Sequence, residues 1–300
     1  MSDLLTLTPL ETQVKDLICV TRPYYALKNL QQIGGDILQA EILVENIFSG
    51  ESTLIFSAEA GRHLAILGSC ALALQNPLNT KHYYLANQAY LERAEDVTNI
   101  LHTGEPQRSR LVLQAKVVYL DLSNKIGKVE TKIMTQAGDL IFKLDVSYQV
   151  LKADLFQKLF RRNYKEELNA NPVNPYTQIV DIQNLNYRQN ILSGDLGIIQ
   201  PEQCVGHFDH YPALPIAILC GTLAKLGSLH LKSLLNNDNI KYTTKKVPIT
   251  ANRLAFAGEH VLLHSTFISE ENNEYTFYVK ATNDKQSDLG DIQITFELLV

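Results

Sequence analysis

Tryptophan is absent from the 300-residue chain, methionine occurs twice and cysteine four times. No two of the cysteines (Cys19, Cys70, Cys204, Cys220) form a CxxC pair, which argues against a zinc ribbon or a disulfide framework. Two of them lie inside apolar segments, where cysteine acts as a small buried hydrophobe. A basic excess is also missing: 27 Lys and Arg stand against 32 Asp and Glu, for a net charge of −5. No positive field is available to hold a phosphate backbone, so nucleic acid is not an expected partner. The longest apolar run, residues 64–74, is too short to span a bilayer, and the amino terminus carries acids where a secretory signal would be basic. The glycines form no phosphate-binding fingerprint, so no nucleotide cofactor is expected. Together these absences predict a reduced, cytoplasmic protein that needs neither membrane nor cofactor.

What is present is an ordinary globular composition, 45% hydrophobic and 20% charged, with 14 Tyr and 10 Phe supplying the aromatics. The chain is long enough for one large domain or two smaller ones. Four short segments recur later in the chain, in the same order. Residues 35–38 resemble 194–197, 64–68 resemble 216–221, 86–97 resemble 251–261, and 138–141 resemble 290–293. Such ordered echoes predict two copies of one unit, residues 1–150 and 176–300, joined by a helix and polar linker at 151–175. Each copy reads alike: an extended stretch with a turn (37–48; 179–199), one apolar helix (62–75; 215–235), then Val-, Ile-, Tyr- and Phe-rich strands. Alternation in Lys143-Leu144-Asp145-Val146-Ser147-Tyr148 is that of a sheet with one buried face. A helix apolar all round must be enclosed. The expectation is α+β: two antiparallel sheets, each wrapped around its own central helix.

The segment Gly206-His207-Phe208-Asp209-His210-Tyr211-Pro212-Ala213-Leu214-Pro215, followed at once by an apolar helix, resembles the active-site loop of the 3-hydroxyacyl-acyl-carrier-protein dehydratases, a hotdog-fold family related to the hotdog thioesterases. The resemblance implies a tandem (double) hotdog and places His207 as the catalytic base, with Pro215 opening the helix. It implies acyl thioesters on acyl carrier protein or coenzyme A, in fatty-acid or polyketide biosynthesis, and allows a homodimer of double hotdogs. The helix acid of the dehydratases is missing: its place falls on Gly221, and Ser69 stands at the corresponding place in the first copy. Three functions therefore stay open: a dehydratase or isomerase, a thioesterase, and a non-catalytic acyl or carrier binder.

Residues 59–63 are the first copy's counterpart of that loop. Glu59 and His63, four apart on a helix, share a face and suit a carboxylate–imidazole pair; the plainer reading is an acid on the helix dipole beside a structural histidine. Joined with His207 across the two halves, they would make one composite acid–base site. In a thioesterase Glu59 or Asp209 would activate water, though Asp209 could simply cap a turn. His210 and Gly206 complete the loop as substrate contacts, with Arg62, like Arg161 and Arg162, available to a pantetheine phosphate or an acidic carrier. Two histidines and Asp209 within four residues have no further, distant ligand to join them, so no metal is expected.

Overall fold

The computed structural model describes residues 9–45, 50–95, 109–166, 174–177 and 180–299. Helix α1 (Pro9–Leu17) leads into strands β1 (Lys28–Ile33) and β2 (Ile37–Leu43), then helix α2 (Ser57–Gln75) and strands β3 (His82–Arg93), β4 (Arg110–Asp121), β5 (Ile126–Met134) and β6 (Leu140–Lys152). A short helix α3 (Ala153–Leu159) follows. Beyond it lie β7 (Gln183–Arg188), β8 (Ile191–Ile198), the two-residue β9 (Ala213–Leu214), helix α4 (Ile216–Leu235), β10 (Tyr242–Ala251), β11 (Ala255–Phe256), β12 (His260–Glu271), β13 (Glu274–Asn283) and β14 (Asp288–Leu298).

The expected pair of separate sheets is not what forms. Twelve strands make one sheet in the order β1-β2-β4-β5-β6-β3-β10-β14-β13-β12-β8-β7, and only β9 and β11 pair apart from it. The reason is local. Strands β3 and β10 would each be an edge strand, with a row of unpaired backbone groups. They pair with each other antiparallel, Leu91 opposite Val247 and Ala89 opposite Ile249, so the two edges remove one another. Read outward from this seam, the strand order is the same on both sides, a repeat of topology far clearer than the sequence echoes. Of those echoes, 138–141 and 290–293 do fall at the start of equivalent strands, β6 and β14. The 86–97 echo does not: it pairs β3 with the end of β10 and the β11 turn, whereas β3 is equivalent to β10 itself.

Alternation drives the burial as it should. Along β6 the side chains of Phe142, Leu144, Val146, Tyr148 and Val150 are buried, while Lys143 and Gln149 face solvent. Helix α2 is buried along most of its length against the sheet. Helix α4 is largely buried between Leu219 and Leu231, but its first turn, Ile216 to Ile218, and its last, residues 232–235, are half-buried or exposed, so this helix is less enclosed than its apolar sequence predicts. The helices touch where Ala58 faces Gly221. Among the described residues no helix is long and apolar enough to cross a membrane, and all four cysteines are free and buried.

Candidate active site

The segment 206–215 folds as a tight loop against residues 20–24, the connection between α1 and β1. Gly206 has φ +82°, and a Cβ there would sit 2.4 Å from the Thr21 carbonyl oxygen, so only glycine allows this approach. The Gly206 carbonyl accepts the Thr21 amide at 2.9 Å. His207 is thereby held in the interior, 7% exposed. Its Nδ1 lies 2.9 Å from the Ala213 carbonyl oxygen, which can only accept; Nδ1 therefore carries the proton and Nε2 keeps its lone pair. Burial lowers the pKa of the imidazole to about 4. His207 is a neutral base of fixed tautomer.

The ring lines a cavity of about 670 Å³ bounded by Tyr24, Ser69, Tyr84, Tyr148, Ile216 and Arg253, among others. It continues, through the shared residues Ala65, Ala86, Ile216 and Ala251, into an apolar groove of about 610 Å³ between the two helices and the β3–β10 seam. Small side chains (Ala58, Gly61, Ala217, Cys220, Ala224) keep that groove open. Burial pushes the Cys220 thiol up to about 12, so it is no nucleophile.

The amino-terminal ends of the two helices differ. At α4, Pro215 is the N-cap and no side chain caps the turn; the first amides have no intrahelical acceptor, and Ile216 and Ala217 both line the groove. At α2 the chain supplies its own acceptor. Glu51 accepts the Ser57 amide at 2.9 Å and the Ser57 hydroxyl at 2.7 Å, and the Thr244 hydroxyl also donates to it. Burial raises the pKa of Glu51, against the pull of these donors. At the α4 end, beside His207, the residues carrying the first amides, Ile216 and Ala217, form part of the groove wall, and no carboxylate of the chain caps them among the described residues.

Glu59, Arg62 and His63 are brought together, as their spacing predicts, with His63 Nε2 3.6 Å from Glu59 Oε1. Arg62, 1% exposed, donates to Glu45, and its Nη2 lies 3.3 Å from His63 Nε2. Burial and the Arg62 charge lower the pKa of His63. Burial opposes the Glu59 carboxylate, but His63, the Glu45 amide and Arg62 outweigh it and hold it below the usual range. These residues do not join His207 in one site. The Tyr24 ring stands between, meeting His207 at 4.9 Å and Arg62 at 5.8 Å. Glu45, Glu59 and His63 point ligand atoms toward one another, but the Arg62 guanidinium already supplies the cation there.

Asp209 is exposed and accepts the Thr21 hydroxyl at 3.4 Å. His210 is exposed, donates Nδ1–H to the Lys165 carbonyl at 3.2 Å and stacks on Tyr164. Neither lines the cavity. Ser69 does, while donating to the Ile66 carbonyl. Arg161 and Arg162 form an exposed turn after α3. Sequence reasoning missed Glu45, Glu51, Tyr176 and Arg253. For Glu51 a signal existed: an acid shortly ahead of a serine at which a helix can open reads as a partner for that helix end.

No protein-family model and no curated protein matches the chain. Solved structures do match in fold. A 12:0-ACP thioesterase from Umbellularia californica superposes with TM-score 0.57 at 6% identity, covering 93% of this chain and 100% of that one. A conserved protein of unknown function with a hot dog fold, from Alicyclobacillus acidocaldarius, gives 0.54 at 9%, covering 94% and 99%. An acyl-CoA thioesterase II, TesB2, from Mycobacterium marinum gives 0.51 at 12%, covering 90% and 96%. What the chain shares with these structures is the hotdog fold.

Proposed function

We propose that the chain is a double hotdog, with units 1–150 and 176–300 joined by 151–175, that hydrolyses acyl thioesters of coenzyme A or acyl carrier protein at a single site beside His207. The observation that carries this is the meeting of a neutral, tautomer-fixed imidazole with the uncapped amino-terminal end of α4 at the mouth of an apolar groove. The acyl chain lies in the groove. The thioester oxygen takes hydrogen bonds from the first α4 amides, where the helix dipole favours developing negative charge. His207 Nε2 takes a proton from the attacking water and returns it to the departing sulfur as the tetrahedral intermediate collapses to acid and thiol. Hydrolysis needs one base and one oxyanion site. Dehydration needs a second proton-transfer group, and no carboxylate lines the His207 cavity among the described residues; this favours the thioesterase reading over the dehydratase that the loop sequence suggests.

The test is to offer the purified protein saturated and 3-hydroxyacyl thioesters of several chain lengths and follow free thiol and enoyl product separately. Thiol release that falls about 10²-fold or more in His207→Gln is expected. Enoyl formation without thiol release would restore the dehydratase reading. Tight binding without turnover of either would make the protein an acyl or carrier binder.

A further inference from the structure

A fully buried arginine is costly unless it is well partnered, and the Nε of Arg62 has no hydrogen-bond partner among the described residues. The charge is not needed to close the helix pair. The α4 residues facing this region across the crossing, Ala217, Ile218, Gly221 and Thr222, are uncharged. What Arg62 does touch is aromatic. Its guanidinium lies 5.8 Å from the Tyr24 ring centroid and 5.3 Å from that of Tyr176, and the two rings meet edge-on at 5.2 Å. Each tyrosine then reaches the catalytic loop. Tyr24 meets the His207 ring edge-on at 4.9 Å, and Tyr176 donates its hydroxyl to the Val205 carbonyl at 2.6 Å. At the other end Glu45 holds Arg62, and Asn174 donates to Glu45 at 3.2 Å.

From this chain of contacts we infer that Arg62 is a positioning residue for His207, acting through Tyr24 and Tyr176, so that the ion cluster of the first half sets the orientation of the base in the second. The inference rests on the reading of His207 as the base, but the placement of the ring is measurable without turnover. Cation–ring contacts in a desolvated site are among the stronger aromatic interactions, and a guanidinium wedged on two rings fixes both. A small displacement of a catalytic group is enough to lower turnover while leaving substrate binding alone. Nothing in the cluster itself touches the cavity that His207 lines: Glu45, Glu59, Arg62 and His63 are all absent from its wall.

Side-chain ¹⁵N spectra of His207 decide the matter in Tyr176→Phe, which keeps the ring on Arg62 and removes only the hydroxyl, and in Arg62→Met, which keeps the stem and removes the guanidinium. The unaltered protein should show one sharp Nδ1–H tautomer. Both variants should show mixed tautomers or exchange broadening, and Tyr176→Phe should lower kcat about five- to tenfold with KM little changed. Arg62→Lys should restore less than half of the loss, because a lysine lacks the planar face. Unchanged His207 spectra in Tyr176→Phe and in any folded Arg62 variant would overturn the inference, even if Arg62→Met fails to fold. Altered spectra in a protein that cleaves no thioester would keep the positioning and remove the hydrolase.

Discussion

Among the described residues no carboxylate lines the cavity beside the His207 ring. The ring's acid–base behaviour comes from burial and one carbonyl, and this gives a pH signature of definite sign. The folded pKa of about 4 lies below the ordinary value of 6.5. Above pH 6.5 both states are neutral and the group contributes nothing. As pH falls from 6.5 to about 4 the unfolded chain takes up a proton that the folded chain refuses, so stability drops by about 3 kcal/mol over that window and then levels. Urea midpoints at neutral pH and near pH 4.5 should therefore differ less in His207→Gln than in the unaltered protein; equal differences would mean that the ring is protonated or hydrated in the fold. Turnover that depends on the neutral base should stay flat down to about pH 5. The residue itself was legible, because glycine, histidine and a helix-opening proline stand together in the sequence. Its separation from Glu59 and His63 was not, since that depends on Tyr24, which reads as one more core aromatic until the fold brings it between them.

At the scale of the element, the two long helices look equivalent in sequence and are not. Their uncharged length was readable from residues 64–74 and 216–224. The difference at their ends was not, because Glu51 caps α2 from outside the helix and Thr244 reaches it from the other half. Glu51→Ala should cost about 1–3 kcal/mol, through the orphaned Ser57 amide and hydroxyl; a melting temperature unchanged by this substitution would show that water serves the helix end as well. Along α2, Gly61 faces the groove, and a Cβ there would meet no atom within 4 Å. Gly61→Ala should thus raise stability by about 0.5–1 kcal/mol, as alanine does for glycine within helices. Gly61→Phe should fold but shorten the longest acyl chain accepted, which a chain-length profile of hydrolysis will show. An unaltered profile would move the acyl chain out of the groove.

For the whole molecule, the continuity of the sheet is the feature that the sequence concealed. Backbone amides and carbonyls make the β3–β10 seam, and they carry no side-chain signature. Pro248, opposite Tyr90 in that ladder, even argues against a central strand, where a proline removes a donor. The seam is apolar where it meets the helices, with Leu91 and Val247 both buried. Leu91→Asp should therefore cost several kcal/mol by burying an unpaired charge. It should lower the stability of both halves together, so that far- and near-ultraviolet signals lose structure in one coincident transition. Two separate transitions would show that the halves are independent.

The same seam also governs traffic. A ligand site between two lobes usually opens as a hinge, with the walls parting and the guest leaving sideways. Here one wall of the groove is laced across both lobes by five consecutive residue pairs of β3 and β10, and parting them would mean breaking a ladder in the middle of the sheet. A long guest must instead slide lengthwise, tail first, past His207 and back out by the same path. Its escape should slow with each added methylene, whereas a branch near the head should hinder arrival more than the same branch near the tail.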